Sequence, residues 1–460
     1  DLAALYRGLA KAKLDLQPLR EADVELQLGV NQWLGLPGEI RGASLQLQLR
    51  DGHLQVPVEA IVEQVPMKGT LDVDAGTQAV VLQFRAANSP IGGLAHFLTG
   101  LPGIDGQLGT LELDVSARGA QGEALMRSLS ATMRVARSRL SYGNRSNGSN
   151  GSNGGNGGAV DQANARPVDF TVDRLQMNVG GTRALTGELQ GSLLGRPLQA
   201  SLSGESLMAV MEQGGSPVSL TVQTGRIAAR VSGQLRGADQ SADLMFSLGA
   251  ERAGDVATWL GLNPRSNLPI ALAGRVSGTA EHWTLSNLVF QVGDSSLYSD
   301  VDQATVNRRL RLNASLVIAS VNLAQLDGLL PPPSPPKPGQ RASLDIPVLP
   351  ARLVLEDADV RVRARDIRGT QLSLGEMGFD GRVRDGHMQS SPFFAEIAGT
   401  RYGGAVALDL RDAEPRAQFW LSGAAVDLGR VLRELKLAAN IDAGVERFNV
   451  YIDSRSSRLA

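Results

Sequence analysis

Short runs of alternating apolar and polar residues recur along most of the chain. Near the start, Leu45, Leu47 and Leu49 alternate with Gln46 and Gln48. Because successive side chains of a β-strand point to opposite faces, this period of two predicts a half-buried strand. The pattern recurs at residues 54–58, 80–84, 111–115, 133–135, 168–172, 198–202, 218–222, 244–248, 283–290, 310–318, 353–355, 360–362, 406–410 and 419–421. The sequence therefore predicts a protein built mainly from β-strands.

One short motif occurs twice. Residues 50–55 read Arg-Asp-Gly-His-Leu-Gln and residues 384–389 read Arg-Asp-Gly-His-Met-Gln. The Asp-Gly pairs predict tight hairpin turns, which need residues with positive φ. Further along each copy, Gly69 and the pair Gly403-Gly404 are also predicted to form turns, each followed by an alternating strand. The chain therefore repeats a strand–turn–strand unit, although its variable length argues against a fixed-period solenoid.

Short amphipathic helices are predicted between blocks of strands. The first covers residues 1–22, with Leu2, Leu5, Leu9 and Leu14 on one side. The others cover residues 91–99, 123–129, 253–262, 322–330 and 427–437. The predicted unit is thus a meander of strands closed by one short helix at the rim of the sheet.

Two low-complexity segments divide the chain. Residues 144–158 contain only Asn, Gly, Ser and one Arg, which predicts a disordered loop. The proline run from Pro331 to Pro338 predicts a stiff, extended connector. We therefore expect an N-terminal segment with its leading helix (1–143), the loop (144–158), a middle set of repeats (159–330), the connector (331–346) and a C-terminal repeat (347–460).

Composition supports a folded protein rich in strands and turns. The apolar fraction is 42%, which excludes disorder for most of the chain. With 53 Gly and only 4% aromatic residues, the apolar content is mainly Leu, Val and Ala, which favours short strands over a helical bundle. Such a meander buries its apolar faces either as sandwiches or by curling into an open trough, and the pattern leaves both architectures open.

Charge and cysteine content exclude several classes of function and of binding site. The formal net charge is −2, which does not suggest nucleic-acid binding. The chain has no Cys, so disulfides, thiolate metal sites and cysteine nucleophiles are excluded. It contains neither an apolar run of the roughly 18 residues that span a bilayer nor a signal peptide. Because the chain begins with Asp1, we expect it to be part of a longer protein.

Residues that could perform chemistry are scattered. The four histidines, His53, His96, His282 and His387, lie far apart in sequence and lack partners at metal-ligand spacing. His53 and His387 occupy equivalent positions beside the two Asp-Gly turns, which indicates exposed strand ends. No nucleophile, phosphate-binding or dinucleotide motif occurs in a strand-to-helix context. We therefore predict a protein that is not an enzyme and has no metal or cofactor.

Several segments resemble the AsmA-like family of bacterial envelope proteins. These are residues 260–326, the stretch Val383-Arg-Asp-Gly-His-Met-Gln, the strand Gly404-Ala-Val-Ala-Leu-Asp and the helix start Val426-Asp-Leu-Gly-Arg-Val-Leu. Residues 117–129 are similar to a glycine-rich lead into a helix in that family. The likeness covers about residues 40–140 and 240–450. It departs at the 144–158 insertion, at the proline run and in lacking the N-terminal membrane anchor of such proteins.

The resemblance implies an elongated antiparallel sheet curled into a periplasmic β-groove, anchored in the inner membrane, that carries phospholipid acyl chains between the inner and outer membranes. Some 25–30 strands spaced by about 4.8 Å would give a trough on the order of 120–140 Å long. The side chains predicted to line the groove are Leu45, Leu47, Leu49, Leu111, Leu113, Val115, Leu244, Phe246, Leu248, Leu310, Leu312, Leu316, Ile318, Leu353, Leu355, Val406, Leu408 and Leu410. The expected partners are phospholipid, the two membranes and other envelope proteins.

Two other classes of protein compete with a lipid carrier. One is a scaffold or chaperone that holds the strands of outer-membrane proteins along its sheet edges. The other is a secreted β-solenoid adhesin, which the irregular unit and the recurrent helices disfavour. A lipid carrier requires an unbroken apolar lining, whereas a scaffold tolerates charge across it. We therefore expect the predicted groove residues to share one interior.

Overall fold

A computed structural model describes residues 16–33, 40–93, 104–142, 168–237, 240–260, 267–306, 309–326, 357–368, 374–409, 411, 416–434, 440 and 442–455. The chain divides into two compact units, residues 1–239 and 240–460. Both units consist mainly of β-strands, as the alternating pattern predicts.

The first unit is an antiparallel meander. Each strand pairs with the strand that follows it in sequence, from β1 to β12. The strands are β1 (Val24–Trp33), β2 (Ile40–Arg50), β3 (His53–Val62), β4 (Val65–Asp74), β5 (Ala79–Pro90), β6 (Ile104–Arg118), β7 (Ser130–Tyr142), β8 (Val168–Gly180), β9 (Leu185–Leu193), β10 (Arg196–Gly204), β11 (Gly215–Thr224) and β12 (Ile227–Arg236).

The second unit is a meander with one parallel step. Its strands are β13 (Ser241–Ala250), β14 (Ile270–Gly278), β15 (His282–Val292), β16 (Ser295–Val306), β17 (Arg309–Asn322), β18 (Asp357–Ala364), β19 (Ile367–Arg368), β20 (Leu374–Arg384), β21 (His387–Ile397), β22 (Thr400–Asp409), β23 (Arg416–Asp427) and β24 (Gly444–Arg455). β17 lies parallel to β18 and to β19, and the other neighbours are antiparallel. A parallel pair needs a connection of a dozen or more residues, and the chain from 327 to 356 is long enough to provide it. The predicted antiparallel arrangement is thus confirmed for every pair except those of β17 with β18 and β19.

Within the described ranges, five short α-helices lie between strands. They are α1 (Gly122–Ser128), α2 (Leu207–Gln213), α3 (Ala253–Leu260), α4 (Leu323–Leu326) and α5 (Leu428–Glu434). All but α2 confirm predicted helices, although the helix predicted at 322–330 is described only as far as residue 326. The sequence analysis missed α2, although both of its ends carry capping signals: Ser206 Oγ accepts a hydrogen bond from the Ala209 amide, and Gly214 adopts the left-handed conformation.

The two Asp-Gly turns form as predicted. Asp51 and Gly52 have φ of 50° and 78°, and Asp385 and Gly386 have φ of 47° and 76°. These values match the turn that requires positive φ at both central residues.

The turns predicted at the later glycines are wrong. Gly69 lies inside β4 and Gly403-Gly404 lies inside β22. The turns occur instead at Glu63-Gln64 and at Ala398-Gly399, all with positive φ. At Gly69 and Gly404, glycine is needed because neighbouring groups approach the backbone closely, as described below, and not because the chain turns there.

Residues with positive φ interrupt several strands. Asn88, Arg137, Asn287 and Ala425 lie inside strands and have positive φ. The pairing of β15 with β16 shifts its register at Asn287, as at a β-bulge, whereas β7 keeps its register with β6 and with β8 on both sides of Arg137. Val135 and Leu140 nevertheless pack in the same apolar cluster, so the parity of the apolar face changes between them.

Several predicted elements lie outside the described residues. These are most of the leading helix 1–22, most of the 91–99 helix, the 144–158 loop and the 331–346 connector. In the described part of the leading segment, Gln17–Arg20 forms a 3₁₀ turn. The five-segment division of the chain stays a prediction.

Candidate functional site

An unbroken row of apolar residues crosses the sheet of the first unit. Each member is the direct partner of the next across neighbouring strands, so all of them share one face. The row is Leu28, Leu45, Val58, Gly69, Phe84, Leu113, Met133, Met177, Gly187, Leu202, Leu220 and Val231. We call the face that carries this row the apolar face of the first unit. Twelve strands at about 4.8 Å make the row roughly 53 Å long.

A second row crosses the second unit. Its members are Leu248, Leu272, Phe290, Leu297, Ile318, Ala364, Met377, Ala395, Tyr402, Gly423 and Phe448. They define the apolar face of the second unit. The Tyr402 hydroxyl is the one polar side-chain group in this row, and burial raises its pKa. Neither row contains a charged side chain.

The described members of the predicted set lie on these faces. In the first unit, Leu45, Leu47, Leu49, Leu111, Leu113 and Val115 share the apolar face. In the second unit, Leu244, Phe246, Leu248, Leu310, Leu312, Leu316, Ile318, Val406 and Leu408 share the apolar face. Leu353, Leu355 and Leu410 lie outside the described residues.

Packing is closest in the middle of the first apolar face. Val65, Leu108, Leu111, Val135 and Val172 are buried and form one cluster with Ala86, drawn from successive strands β4 to β8. The first strand of this unit is less protected, since Leu26 and Leu28 are 44% and 48% exposed. In the second unit, Val450 and Ile452 of β24 are similarly exposed.

Phenylalanine rings cover glycines on the neighbouring strand. A methyl group at Gly69 would lie 2.4 Å from the Phe84 ring, and one at Gly404 would lie 2.5 Å from the Phe393 ring. The pairs Gly274 with Phe246 and Gly423 with Phe448 repeat this arrangement. Each ring fills the space that the missing side chain leaves, so that the glycine does not open a gap in the apolar face.

Aromatic residues contribute more to the apolar faces than composition suggests. Phe393 and Phe419 stack with ring centroids 5.9 Å apart, and Tyr402 and Phe448 approach to 6.0 Å. All of these lie in β21–β24. Of the predicted groove residues only Phe246 is aromatic, so the sequence analysis missed this patch. The sequence signal for this patch was a glycine on one strand at a position that pairs with an aromatic residue on the adjacent strand.

The opposite face of the second unit carries ion pairs. Arg363 binds both oxygens of Asp380 (2.7 and 2.9 Å), and Arg382 and Arg384 bind Asp359. The hydrogen bond from Arg363 lowers the pKa of Asp380, and the hydrogen bond from Arg384 lowers the pKa of Asp359. Both carboxylates are therefore ionised at neutral pH.

A histidine on this face forms a hydrogen bond with a carboxylate. His282 Nε2 lies 3.0 Å from Asp302, and their hydrogen bond lowers the pKa of Asp302. We call this side of the sheet the polar face of the second unit.

The histidines beside the two Asp-Gly turns have equivalent surroundings. His53 lies 4.0 Å from Asp72 and His387 lies 4.0 Å from Asp409, in each case on the next strand. Both imidazoles are exposed at strand ends, as predicted. Within the described ranges, no three His, Cys, Asp or Glu side chains come together in a way that could hold a metal ion.

Comparison with known proteins gives no family. No protein-family model, no curated protein and no solved structure matches this chain. Among the helices of the described part of the chain, none has the length and hydrophobicity needed to cross a bilayer.

Proposed function

We propose that this protein is a non-enzymatic lipid carrier of the AsmA-like type, in which phospholipid acyl chains lie along the apolar faces. The supporting observation is the pair of unbroken apolar rows, which cross every described strand of the first unit and all but the two-residue β19 of the second. An alkyl chain lying across the strands meets apolar side chains, glycines and the one hydroxyl group of Tyr402.

The energetics favour a broad face over a specific pocket. Each CH₂ group removed from water contributes roughly 0.8 kcal/mol, so affinity comes from the length of the contact rather than from one residue. Because no single position binds it strongly, an acyl chain can move along the row without having to escape from a deep free-energy minimum. The phospholipid head group, which hydration stabilises, stays at the edge of the face. Curling of the sheet around the chain would complete a groove.

The remaining parts of the proposal follow from the resemblance given above. The carrier works in the periplasm, anchored in the inner membrane, and moves phospholipid between the inner and outer membranes.

Charge insertion on one face tests the proposal. Leu28 and Leu310 lie on the apolar faces and are 48% and 39% exposed, so Leu28→Asp and Leu310→Asp leave the new carboxylate in reach of water and the fold intact. A carboxylate in a hydrocarbon environment costs about 2.5–3.5 kcal/mol. Native mass spectrometry after incubation with phosphatidylethanolamine vesicles should therefore show at least about tenfold less bound lipid for each variant.

Val317 provides the matched control. It lies on the same strand as Leu310 and is 36% exposed, but it faces the polar side of the sheet. Val317→Asp should bind lipid as the unmodified protein does. An unmodified protein that takes up no phospholipid, or equal losses in Leu310→Asp and Val317→Asp, would refute the proposal.

A scaffold for outer-membrane protein assembly is the second candidate. Among the described residues, no strand pairs with the outer edge of β24, and an open edge is a template for strand addition. The scaffold hypothesis predicts that an unfolded outer-membrane protein segment protects β24 amides from hydrogen exchange. A lipid carrier needs no such protection.

A further inference from the structure

The polar face of the second unit holds a wide cleft. Its volume is about 910 Å³, and strands β15 to β18 and β20 to β22 contribute to its walls. Two short side chains, Ser315 and Ala405, and two long charged ones, Arg361 and Arg382, are among its lining residues. It lies on the side of the sheet opposite the proposed lipid face.

Four aspartates (Asp300, Asp302, Asp359 and Asp380) and two arginines line the cleft, and Arg363 and Arg384 beside it bring the number of positive charges to four. Asp380 is bound by Arg363 and lies 3.6 Å from Arg361, and Asp359 is bound by Arg382 and Arg384. A cleft with such balanced charge offers little attraction to a free ion of either sign. It still offers many hydrogen-bond partners, because a carboxylate has about four acceptor sites and a guanidinium about five N–H donors. The lining therefore suits a neutral ligand rich in hydroxyl groups.

Two exposed aromatic side chains continue the cleft. Ala405 in its wall is the direct cross-strand partner of Trp420, and Trp420 is the direct partner of Tyr451. Both rings lie on the polar face, and the two residues are 41% and 62% exposed. Two adjacent exposed aromatic rings offer a flat apolar surface on which a ligand can pack.

Planar polar groups surround these rings. Gln418 donates a hydrogen bond to the Tyr451 hydroxyl (3.0 Å), and Arg416 binds both oxygens of Asp453 (3.0 and 2.6 Å). These bonds hold the amide, carboxylate and guanidinium groups in fixed positions beside the aromatic surface. A ligand with a flat apolar side and hydroxyl groups along its rim matches this arrangement.

The register aligns the cleft and the rings. Asp300, Ser315, Arg361 and Asp380 are successive partners across β16, β17, β18 and β20. Asp380 pairs with Ser391 of β21. The pairing of β21 with β22 is irregular between Gln389 and Phe393, and beyond it Ala405, Trp420 and Tyr451 are successive partners across β22, β23 and β24. About seven strand spacings of about 4.8 Å give a path of roughly 34 Å, long enough for an oligosaccharide rather than a single sugar.

We propose that the cleft together with Trp420 and Tyr451 is a binding site for a linear, neutral oligosaccharide that lies across the strands. The apolar faces of the sugar rings pack on the two aromatic side chains. Their hydroxyl groups bond to the paired acids and arginines of the cleft. This site is independent of the proposed lipid face.

Titration calorimetry of the full chain with chitohexaose and with cellohexaose tests the site. At least one of the two should bind saturably, with a Kd below about 1 mM. Trp420→Ala and Tyr451→Ala should each weaken that binding about tenfold, since each removes one stacking surface. Tyr142→Ala is the matched control, because Tyr142 is also an exposed tyrosine (52%) but belongs to the first unit; it should leave Kd unchanged.

Two further variants keep the test decisive if an alanine variant fails to fold. Trp420→Phe retains a ring, so its Kd should lie within about threefold of that of the unmodified protein. Arg361→Gln changes only the cleft and leaves both rings in place, and it should also weaken binding. Failure of both saccharides to bind, or binding that survives Trp420→Ala and Tyr451→Ala unchanged, overturns the proposal. Binding of a peptide of alternating Lys and Glu without binding of either saccharide also overturns it.

Discussion

The ring that covers Gly423 should make this position intolerant of even one methyl group. In Gly423→Ala, the added carbon would lie 2.5 Å from Cε1 of Phe448 and 3.2 Å from Cδ1 of Tyr402. Carbon atoms pack at about 3.5–4.0 Å, so the Phe448 ring has to move by roughly 1 Å. Overpacking of this kind costs about 1–3 kcal/mol. Because Phe448 is only half-buried in a strand at the edge of the described sheet, we expect a value near the lower end.

A double-mutant cycle isolates the contact. Phe448→Ala removes the ring that the new methyl group strikes, so the double variant Gly423→Ala/Phe448→Ala should be about 1 kcal/mol more stable than the sum of the single changes implies. Hydrogen exchange of the β23–β24 amides measures the local opening free energy, and about 1.4 kcal/mol corresponds to a tenfold change in protection. This readout is preferable to global denaturation, because a terminal strand can open by itself.

Gly249 provides the control. Nothing lies within 4 Å of a methyl group at this position, and its φ is not positive. Gly249→Ala should therefore be neutral or stabilise the sheet by about 0.4–1 kcal/mol. If Gly423→Ala left the exchange of β24 unchanged, or if Phe448→Ala failed to relieve its effect, the proposed role of the Phe–Gly pairs would be refuted.

Two further predictions concern the same unit. The hydrogen bond from Arg416 lowers the pKa of Asp453 to about 2, below its usual 3.8, so the stabilisation is complete above pH 3.8 and is lost as the pH falls towards 2; exchange of the β24 amides should show this loss, and Arg416→Gln should abolish it. Gly386→Ala places a side chain at φ of +76° in a hairpin turn and should cost about 1–2 kcal/mol by thermal denaturation, whereas a change of similar cost in Gly249→Ala would point to a cause other than φ.

The strands, the paired turns and four of the five described helices could be predicted because their signals are local. Alternation fixes which residues of a strand share a face, and Asp-Gly fixes a turn within two residues. The parallel pairing of β17 with β18 could not be predicted in this way. It depends on which strands meet after a connection of about thirty residues, and no local pattern encodes that choice.

Glycine was the most misleading residue because it has two physical uses. At Gly52 and Gly386 it supplies positive φ, and the neighbouring Asp reveals the turn. At Gly69 and Gly404 the strand continues, and glycine is needed because a ring from a neighbouring strand occupies the place of a side chain. The partner ring lies 15 residues away in one case and 11 in the other, so the two uses look alike until the register is known.

The arrangement of faces explains why one sheet can offer two kinds of surface. The pleat sends neighbouring side chains to opposite sides, so Leu316 and Val317, or Phe419 and Trp420, face different environments although they are adjacent in sequence. One extra residue in a strand, without a compensating change, would send all the following apolar side chains to the polar face and the polar ones to the apolar face. Asn88, Arg137, Asn287 and Ala425, which have positive φ inside strands, occur where the apolar side chains change parity. The apolar side chains therefore stay on one side of the sheet along the full length of these strands.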